Sequence, residues 1–426
     1  MENNIIRTYI EENISKVLKE PVKFIKYPFI DPGSVYNGNV WDWDTYWSVY
    51  GLLNMADNLG EDLKARIVKH AQGNVFNFFD HQLEDGYIPM MIEVGQWEEP
   101  YLNMKHKEGV TMNMHKPFLS NQICLISDYI KDYSWIKEYV YQLEKYFKHY
   151  YEVYYFENSG LFVWCDDIMI GMDNDPASFG RPKFSTANIF LNSFMVTELK
   201  SMAKILKELD SINEYKDQKY IKEIGDYLRK ADELTEAIHK ECWDKRDGFF
   251  YSVDVDIKLR KFDWFHQGLG VFWNTLPIKI RTWSGFIPMW AGIATKEQAA
   301  ALVSHMFDEN TFYSDYGITT LAKDEKMFDL SVTNNPSNWL GPVWLVANYI
   351  VFRGLMNYGY VKEAKDLYSR TFKLLENDLN KTGSLHEYYN PFSGEPVMNG
   401  GFINWNILVL NMQDELNGKE AMKVVF

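Results

Sequence analysis

The sequence predicts an all-α fold in which six helical hairpins close into a ring. Segments with the helical spacing of apolar residues alternate with long loops that are rich in Gly, Pro, Asn and Asp. Each long loop is followed by two helical segments, so inner and outer helices would alternate along the chain. The helices that follow long loops begin near residues 42, 117, 184, 284, 338 and 402. Their partners begin near residues 62, 134, 217, 296 and 362, and the N-terminal helix completes the sixth pair.

The first half of the chain contains seven predicted helices. The N-terminal helix has apolar side chains at helical spacing, and Gly60 ends the second helix. Pro and Gly mark the loops at 21–41 and 84–116, and a third loop contains residues 164–176. Helices are expected at 3–20, 42–59, 62–81, 117–131, 134–153, 184–208 and 216–242.

The second half begins with a loop at 243–263, in which Asp247-Gly248 predicts a short β-hairpin because this dipeptide favours a tight turn. Helices are expected at 264–274, 284–293, 296–307, 338–358, 361–379 and 402–416. The irregular spacing excludes a short-period solenoid. In such a ring the long loops would share one face and surround one central pocket. No linker or charge block interrupts residues 1–426, which are therefore predicted to form a single domain.

The composition of the chain excludes some classes of function and favours others. The chain carries 44 Lys and Arg against 59 Asp and Glu, a net charge of -15 that argues against nucleic acid or an anionic membrane as partner. Three distant cysteines form neither a disulfide framework nor a zinc motif. With no signal-peptide pattern and no uncharged run of roughly 18 residues, a soluble cytoplasmic protein is expected; the sequence does not indicate its oligomeric state. Aromatic residues form 16% of the chain and cluster in loops, which favours carbohydrate as the ligand because sugar rings have apolar faces.

The loop at residues 164–176 holds four carboxylates among Trp, Met and Ile side chains: Asp166, Asp167, Asp173 and Asp175. Apolar surroundings raise the pKa of a carboxyl group, because desolvation disfavours its charged form. A raised pKa suits a general acid, which must hold a proton near neutral pH. Asp173 is the candidate acid. The alternative is a solvated acidic turn that caps the following helix.

Other catalytic and cofactor motifs are absent from the sequence. The nine histidines show neither HExxH nor another paired spacing that indicates a metal site. No GxGxxG, GxxxxGK[ST] or GxSxG segment occurs, so nucleotide binding and esterase chemistry are not indicated. We therefore expect neither a metal nor a cofactor.

Five segments together carry a family resemblance. They are Trp41-Asp42-Trp43-Asp44, Gly171-Met172-Asp173-Asn174, the segment from Ser284 to Thr295, Tyr316-Gly317-Ile318 with Asn338-Trp339-Leu340-Gly341-Pro342-Val343-Trp344, and Glu387-Tyr388-Tyr389-Asn390-Pro391 with Gly401-Phe402-Ile403-Asn404-Trp405. The series resembles glycoside hydrolase family 63, the group of processing glucosidases and trehalase-like enzymes. It follows the order of that family and covers about residues 36–406.

The resemblance implies an (α/α)6 barrel and an inverting glycosidase that acts on an α-linked glucoside or mannoside. It implies Asp173 as general acid and Glu387 as general base, which should lie on opposite walls of one pocket. For Glu387 the alternative is an ordinary loop carboxylate. We expect no extra N-terminal β-domain, and in this the sequence is similar to the short bacterial members that hydrolyse mannosylglycerate or glucosylglycerate. Leu340 stands where family members often have Arg, which leaves the identity of the substrate open.

Residues near these motifs are candidates for holding the substrate. Asp44 would accept hydrogen bonds from two sugar hydroxyls; the alternative is a first-turn carboxylate stabilised by the helix dipole. Trp41, Trp43 and Trp339 would stack on sugar faces, with core packing as the alternative. Further candidate contacts are Tyr36, His115, Gln122, Asn174 and Trp405.

Two other functions remain compatible with the sequence. A sugar epimerase or isomerase on the same helical ring would place His266 or His386 in the pocket and Asp173 outside it. A non-catalytic sugar-binding protein would bind its ligand without turnover.

Overall fold

The computed structural model describes residues 4–168, 170–212, 219–257, 273–331 and 337–422. Helices dominate this part of the chain, as the apolar periodicity predicts. The helices are α1 Ile5–Val17, α2 Asp42–Ala56, α3 Glu61–Asp80, α4 Tyr101–Lys107, α5 Leu119–Ile130, α6 Val140–His149, α7 Ile189–Ile212, α8 Ile221–Ala237, α9 Ile287–Trp290, α10 Lys296–Met306, α11 Leu345–Asn357, α12 Val361–Thr382 and α13 Leu408–Leu416.

Six of these helices form a closed inner ring. α2 contacts α5, and the contacts continue through α7, α9, α11 and α13, which returns to α2. Outside this ring, α3 packs on α2, α8 packs on α7, and α12 packs on α11 and on α1. The expected (α/α)6 barrel is confirmed.

The inner and outer helices differ in how much of their surface is buried. In α2 every residue except Asp44 is buried. In α8 only Tyr227, Ala231 and Leu234 are buried, and these follow one another at helical spacing. A helix that is apolar on all sides needs neighbours all around it, whereas a helix with one apolar stripe can cover the outside of a core. The burial pattern therefore separates the two layers.

Helix α11 begins later than predicted. A helix was expected from residue 338, but residues 338–344 are not helical. Gly341 has a φ of +142°, and Pro342 cannot donate a backbone hydrogen bond within a helix. Val343 and Tyr389 instead exchange two backbone hydrogen bonds at 2.9 and 3.0 Å. This pairing holds the segment before α11 against the segment that carries Glu387.

Several other helix predictions are corrected. The helix expected at 284–293 is only the short α9, which follows the 3-10 turn Trp283–Phe286 and is ended by Gly292 at a φ of +68°. α13 likewise follows a 3-10 turn, Trp405–Ile407. α4 lies within the loop predicted at 84–116. The helix predicted near 264–274 falls mostly outside the described residues.

Short antiparallel strands join the loops. The predicted hairpin is confirmed, with Trp243 opposite Phe250. The described residues contain five further small sheets, which sequence analysis missed because two-residue strands show no detectable alternation. The sheets pair β1 Leu18–Lys19 with β2 Phe29–Ile30, β3 Val40–Trp41 with β4 Met91–Ile92, β5 Tyr155–Phe156 with β6 Leu161–Phe162, β8 Trp243–Asp244 with β9 Phe249–Phe250, β12 Tyr313–Ser314 with β13 Gly317–Ile318, and β10 Val253–Asp254 with both β7 Thr186–Ala187 and β11 Leu276–Pro277.

Among the helices that the structure describes, none combines the length and apolar character needed to cross a bilayer.

Candidate active site

A cavity of about 360 Å³ lies at the end of the ring where inner helices begin. This volume falls within the roughly 300–1,000 Å³ of small-molecule sites. The lining residues come from segments that open or precede α2, α5, α7, α11 and α13, so loops far apart in sequence meet around one pocket. The cavity is lined by Tyr36, Trp41, Trp43, Asp44, Lys116, Asp167, Ile168, Gly171, Asp173, Phe179, Ser337, Trp344, Glu387 and Trp405.

Glu387 is only 3% exposed and lies between α12 and α13. The Tyr36 hydroxyl donates to its carboxylate, with distances of 3.1 and 3.3 Å to the two oxygens, and the Asn399 amide donates to Oε2. Burial raises the pKa of Glu387 to about 7; these hydrogen bonds oppose the rise, and the negative charge of Asp173 adds to it. Two donors that face the carboxyl group support its ionised form, which a general base requires.

Asp173 lines the same cavity and is half-buried. Burial raises its pKa, whereas a hydrogen bond with Ser337 and the positive charge of Lys116 oppose the rise. The direction of the shift is the one that a general acid needs. Within the described residues no hydrogen bond joins Asp173 directly to Glu387, although the negative charge of Asp173 contributes to the raised pKa of Glu387.

Asp175 resembles Asp173 in having a raised pKa, but it differs from Asp173 in position. Burial raises the pKa of Asp175 to about 6. However, it is 2% exposed and accepts hydrogen bonds from the Ser178 hydroxyl at 3.0 Å and the Asn188 amide at 3.1 Å. Asp175 does not line the cavity, so its contacts hold the turn that follows Asp173.

The remaining two carboxylates of this loop also have defined contacts. Asp166 forms an ion pair with Lys183 at 3.0 Å and does not line the cavity. Asp167 does line it, but its Oδ2 accepts the backbone N–H of Gly180 at 2.5 Å. Position therefore separates Asp173 from Asp166 and Asp175, whereas Asp167, which also lines the cavity, differs in accepting the backbone N–H of Gly180.

Asp44 projects from the first turn of α2 into the cavity. The Asn404 amide donates to its Oδ1, and the Ser48 hydroxyl donates to Asn404 Oδ1 at 2.7 Å, so the carboxyl group has a fixed orientation. Burial, followed by the negative charge of Glu387, raises the pKa of Asp44. Hydroxyl groups that donate to this carboxylate would stabilise its charged form and lower the pKa again.

Four tryptophans line the cavity: Trp41, Trp43, Trp344 and Trp405. Trp43 and Trp405 meet edge to face with ring centroids 5.9 Å apart. The Nε1–H of Trp41 is buried and has no hydrogen-bond partner among the described residues. Flat apolar surfaces with a few polar groups suit a sugar ring.

Trp339 was predicted to stack on a sugar face, but it lies behind the tryptophans that line the cavity. It is 1% exposed, stacks on Trp344 with ring centroids 4.0 Å apart and contacts Trp43 edge to face at 6.1 Å. Trp344 lines the cavity instead. Sequence analysis missed Trp344 because it predicted a helix, rather than an extended segment, at residues 338–344.

His115 and Gln122 are also corrected, because neither lines the cavity. His115 is fully buried, its Nδ1 lies 2.7 Å from the carbonyl oxygen of Lys116, and its ring packs edge to face against Phe78. Gln122 is buried within α5. Both belong to the packing between helices.

Asn174 supports the site without lining it. Its Oδ1 accepts the backbone N–H of Trp339 at 2.6 Å, and its Nδ2 donates to Asn338 Oδ1 at 3.1 Å. Asn174 thus joins the loop of Asp173 to the segment before α11. Leu340, the departure from the family pattern, lies in that segment, is half-buried and does not line the cavity.

Lys116 is a lining residue that sequence analysis missed. Its Nζ lies 2.9 Å from Asp42 Oδ1, and its backbone N–H donates to Asp42 Oδ2 at 2.7 Å. Both side chains are almost fully buried. The only signal in the sequence was the position of Lys116 directly before a predicted inner helix.

Asp85, His106 and His149 form a separate cluster that the histidine spacing did not reveal. One ligand atom from each lies within 4.8 Å of the others, so the three could hold a metal ion. Hydrogen bonds already connect them: His106 Nε2 lies 2.6 Å from Asp85 Oδ2, and His149 Nδ1 lies 3.0 Å from the Asp85 carbonyl oxygen. None of the three lines the cavity.

The arrangement expected of an epimerase or isomerase is not observed in the described residues. Asp173 lines the cavity, whereas His386 does not and has its Nδ1 2.9 Å from Asp378 Oδ2. His266 lies outside the part of the chain that the structure describes.

Residues 37–405 match the family described as the mannosylglycerate hydrolase MGH1-like glycoside hydrolase domain. The match covers most of the chain. The chain belongs to this family. The family membership predicted from the motifs is thereby confirmed.

Curated relatives match this chain over shorter stretches. Mannosylglycerate hydrolase MGH1 of Selaginella moellendorffii is 32% identical over 165 residues, which are 38% of this chain and 30% of that protein. A mannosylglycerate hydrolase of Thermus thermophilus is 24% identical over 185 residues, 43% of this chain and 36% of that protein. The aligned part thus spans about a third of the length of these relatives.

Solved structures have the same architecture. A GH63 mannosylglycerate hydrolase from Thermus thermophilus, in complex with glucose, superimposes with a TM-score of 0.66, at 18% identity, over 96% of this chain and 99% of that chain. Neutral trehalase Nth1 from Saccharomyces cerevisiae gives a TM-score of 0.58, at 16% identity, over 94% of this chain and 75% of that chain. At these identities the similarity establishes the fold.

Proposed function

We propose that this chain is an inverting glycoside hydrolase that cleaves an α-linked glucoside or mannoside. The observation that carries the proposal is the pair of carboxyl groups, Asp173 and Glu387, in one aromatic-lined cavity. Inverting glycosidases use two carboxyl groups roughly 6.5–9.5 Å apart, which leaves room for a water molecule. Membership of a glycoside hydrolase family supports the reaction class, and curated relatives named mannosylglycerate hydrolase support the class of substrate.

In the proposed reaction Asp173 donates its proton to the glycosidic oxygen as the bond from that oxygen to the anomeric carbon breaks. Glu387 takes a proton from a water molecule, whose oxygen bonds to the anomeric carbon from the opposite face. The leaving alcohol is neutral, and the sugar is released with inverted anomeric configuration. Proton exchange with solvent then restores both carboxyl groups.

The surroundings of the two carboxyl groups support this division of roles. Tyr36 and Asn399 both donate to Glu387, so they stabilise the charged form that a base requires. The negative charge of Asp173 is one cause of the raised pKa of Glu387, so protonation of Asp173 favours the ionised form of Glu387. Catalysis requires this state, with the proton on Asp173.

Other lining residues would hold the sugar on the non-reducing side of the bond. Asp44 would accept hydrogen bonds from sugar hydroxyls, and the ring of Trp41 would contact the sugar. Trp43 and Trp405 would pack on the apolar faces of the ring. These contacts would fix the anomeric carbon between the two carboxyl groups.

The stereochemistry of the product tests the mechanism. We expect NMR of a reaction with an α-glucoside or α-mannoside to detect the β-anomer first, followed by slow mutarotation. Initial release of the α-anomer would contradict the inverting assignment. Binding of the sugars without hydrolysis of either the α-glucosides or the α-mannosides would support a non-catalytic sugar-binding protein instead.

Substitution of each carboxyl group distinguishes acid from base. We expect Asp173→Asn to lower kcat about 10²–10⁴-fold on a disaccharide, whose leaving group needs a proton. The loss should be much smaller on a dinitrophenyl glycoside, whose leaving group departs as an anion. Glu387→Gln should lower kcat strongly on both substrates, because each requires activated water.

Asp166→Asn is the matched control, because it alters a carboxylate of the same loop that pairs with Lys183 away from the cavity. We expect its kcat to stay near that of the unmodified protein on both substrates. Equal losses on both substrates for Asp173→Asn, or wild-type rates for either catalytic substitution, would contradict the assignment.

A further inference from the structure

Two large apolar side chains stand at the mouth of the cavity. Ile168 and Phe179 line it, yet 64% of Ile168 and 60% of Phe179 are exposed. Apolar side chains at this exposure contribute little to the stability of the fold, and an exposed apolar patch beside a cavity marks a place where a ligand packs. A leaving group that extends out of the cavity would cover both.

Backbone contacts hold these two side chains on either side of one loop. The Asn113 amide donates to the Ile168 carbonyl oxygen at 2.9 Å, and the Phe179 N–H donates to the Asp175 carbonyl oxygen at 2.8 Å. The hydrogen bond from the Gly180 N–H to Asp167 ties the two arms of the loop together. Hydrogen bonds therefore hold the backbone segments that carry Ile168 and Phe179.

This loop also carries Asp173, the proposed general acid. A general acid protonates the oxygen of the leaving group and therefore lies on the leaving-group side of the scissile bond. Ile168 and Phe179 lie on the same loop as Asp173, whereas Asp44 and the lining tryptophans come from other segments of the chain. The position of the acid thus assigns the apolar pair to the leaving group.

The charges around the cavity are predominantly negative. Besides Asp173, which carries a proton in the reactive state, three carboxyl groups line it: Asp44, Asp167 and Glu387. Lys116, the cation that lines it, is held in an ion pair with Asp42 at 2.9 Å. An anionic leaving group would meet repulsion from these carboxylates, because a concave site concentrates the field of the charges on its walls.

We propose that Ile168 and Phe179 form the leaving-group subsite, and that this subsite takes an uncharged group with an apolar face, such as a second sugar ring, in preference to a carboxylate such as glycerate. The inference rests on the proposed hydrolase function. It predicts a different substrate preference from that in the names of the relatives.

The first test compares leaving groups on the same sugar. We expect kcat/KM for an α-linked disaccharide to exceed that for the matching glycerate α-glycoside at least tenfold, in the glucose or the mannose series. Added salt should raise kcat/KM for the glycerate glycoside and leave that for the disaccharide nearly constant, because salt screens the repulsion. Preference for the glycerate glycoside would overturn the inference.

The second test uses the double variant Ile168→Ala/Phe179→Ala and an α-glycosyl fluoride, which has no ring to occupy the subsite. We expect the ratio of kcat/KM for the disaccharide to kcat/KM for the fluoride to fall at least tenfold. Phe392→Ala, which removes an aromatic side chain that is 56% exposed and does not line the cavity, should leave the ratio unchanged. An unchanged ratio in the double variant would overturn the inference.

The fluoride also separates this inference from the proposed function. Hydrolysis of the fluoride with an unchanged ratio would contradict only the assignment of the subsite. Failure of the unmodified protein to hydrolyse every fluoride and every glycoside would contradict the hydrolase itself. A thermal unfolding curve for the double variant close to that of the unmodified protein excludes misfolding as the cause of a lower ratio.

Discussion

At the scale of single residues, contacts rather than residue type separate the roles of the carboxylates. Asp173 and Asp175 share one loop and both have a raised pKa because they are buried. Asp175 is bound by Ser178 and Asn188, whereas Asp173 lines the cavity. A search for the most perturbed pKa alone would select Asp175, which does not line the cavity.

The dependence of activity on pH follows from Glu387. In its proposed role as general base it acts only when ionised, and burial raises its pKa to about 7. We therefore expect kcat/KM, which reports on the unoccupied enzyme, to fall as the pH decreases through about 7. Measurement of kcat/KM between pH 5 and 9 on a neutral glycoside checks this expectation.

Tyr36 should affect the pH at which kcat/KM falls on the acidic side of the pH profile, the acidic limb. Its hydroxyl stabilises the charged form of Glu387, so Tyr36→Phe should raise the pKa of Glu387 and move the acidic limb to higher pH. Tyr129→Phe removes a hydroxyl that donates to Asp57, away from the cavity, and should leave the limb in place. A limb that stays fixed in Tyr36→Phe, or moves to lower pH, would contradict the role of Glu387.

At the scale of elements, close packing between α2 and the turn before α13 closes the inner ring. A Cβ atom added to Gly51 in α2 would lie 2.2 Å from Cγ2 of Ile407, which is buried in that turn. Helices approach this closely only where one of them has no side chain. Gly51 therefore serves the contact between two elements that are far apart in sequence.

Paired substitutions of glycine by alanine test this contact. We expect Gly51→Ala to lower the free energy of unfolding by about 1–3 kcal/mol, because the buried methyl group has no space. Gly225→Ala in the outer helix α8 meets no atom within 4 Å, so it should raise the free energy of unfolding by about 0.5–1 kcal/mol. Urea-induced unfolding of both variants measures the difference; stabilisation by Gly51→Ala would contradict the close contact.

At the scale of the whole molecule, the ring connects the two ends of the chain. α13 packs on α2, and α1 packs on α12. A network that includes Tyr50, Tyr349 and Glu415 joins α2, α11 and α13: the Tyr349 hydroxyl donates to Glu415 Oε1 at 3.0 Å and lies 2.9 Å from the Tyr50 hydroxyl. These contacts support our proposal that the chain forms a single domain.

A single domain should unfold in one step. We expect differential scanning calorimetry to record one transition whose calorimetric and van't Hoff enthalpies agree, because no part of the ring keeps its neighbours when another part opens. The same midpoint should be obtained from tryptophan fluorescence and from circular dichroism at 222 nm. Two resolved transitions would contradict the proposed domain organisation.

The order and the approximate bounds of most helices were predictable from the sequence, because apolar periodicity is a local property of the chain. The ends of α9, α11 and α13 were not. Residues 338–344 look helical by periodicity but are held extended by the pairing of Val343 with Tyr389, which is a contact between distant segments.

The sequence by itself determined the alternation of inner and outer helices, the family, and the segments that carry Asp173, Glu387 and Asp44. Only the tertiary structure decided which side chains of those segments meet: Trp344 rather than Trp339 faces the cavity, and Lys116 enters it. The physical reason is that the direction of a side chain in a loop depends on hydrogen bonds and packing from remote parts of the chain. The periodicity of apolar residues along the sequence does not indicate those contacts.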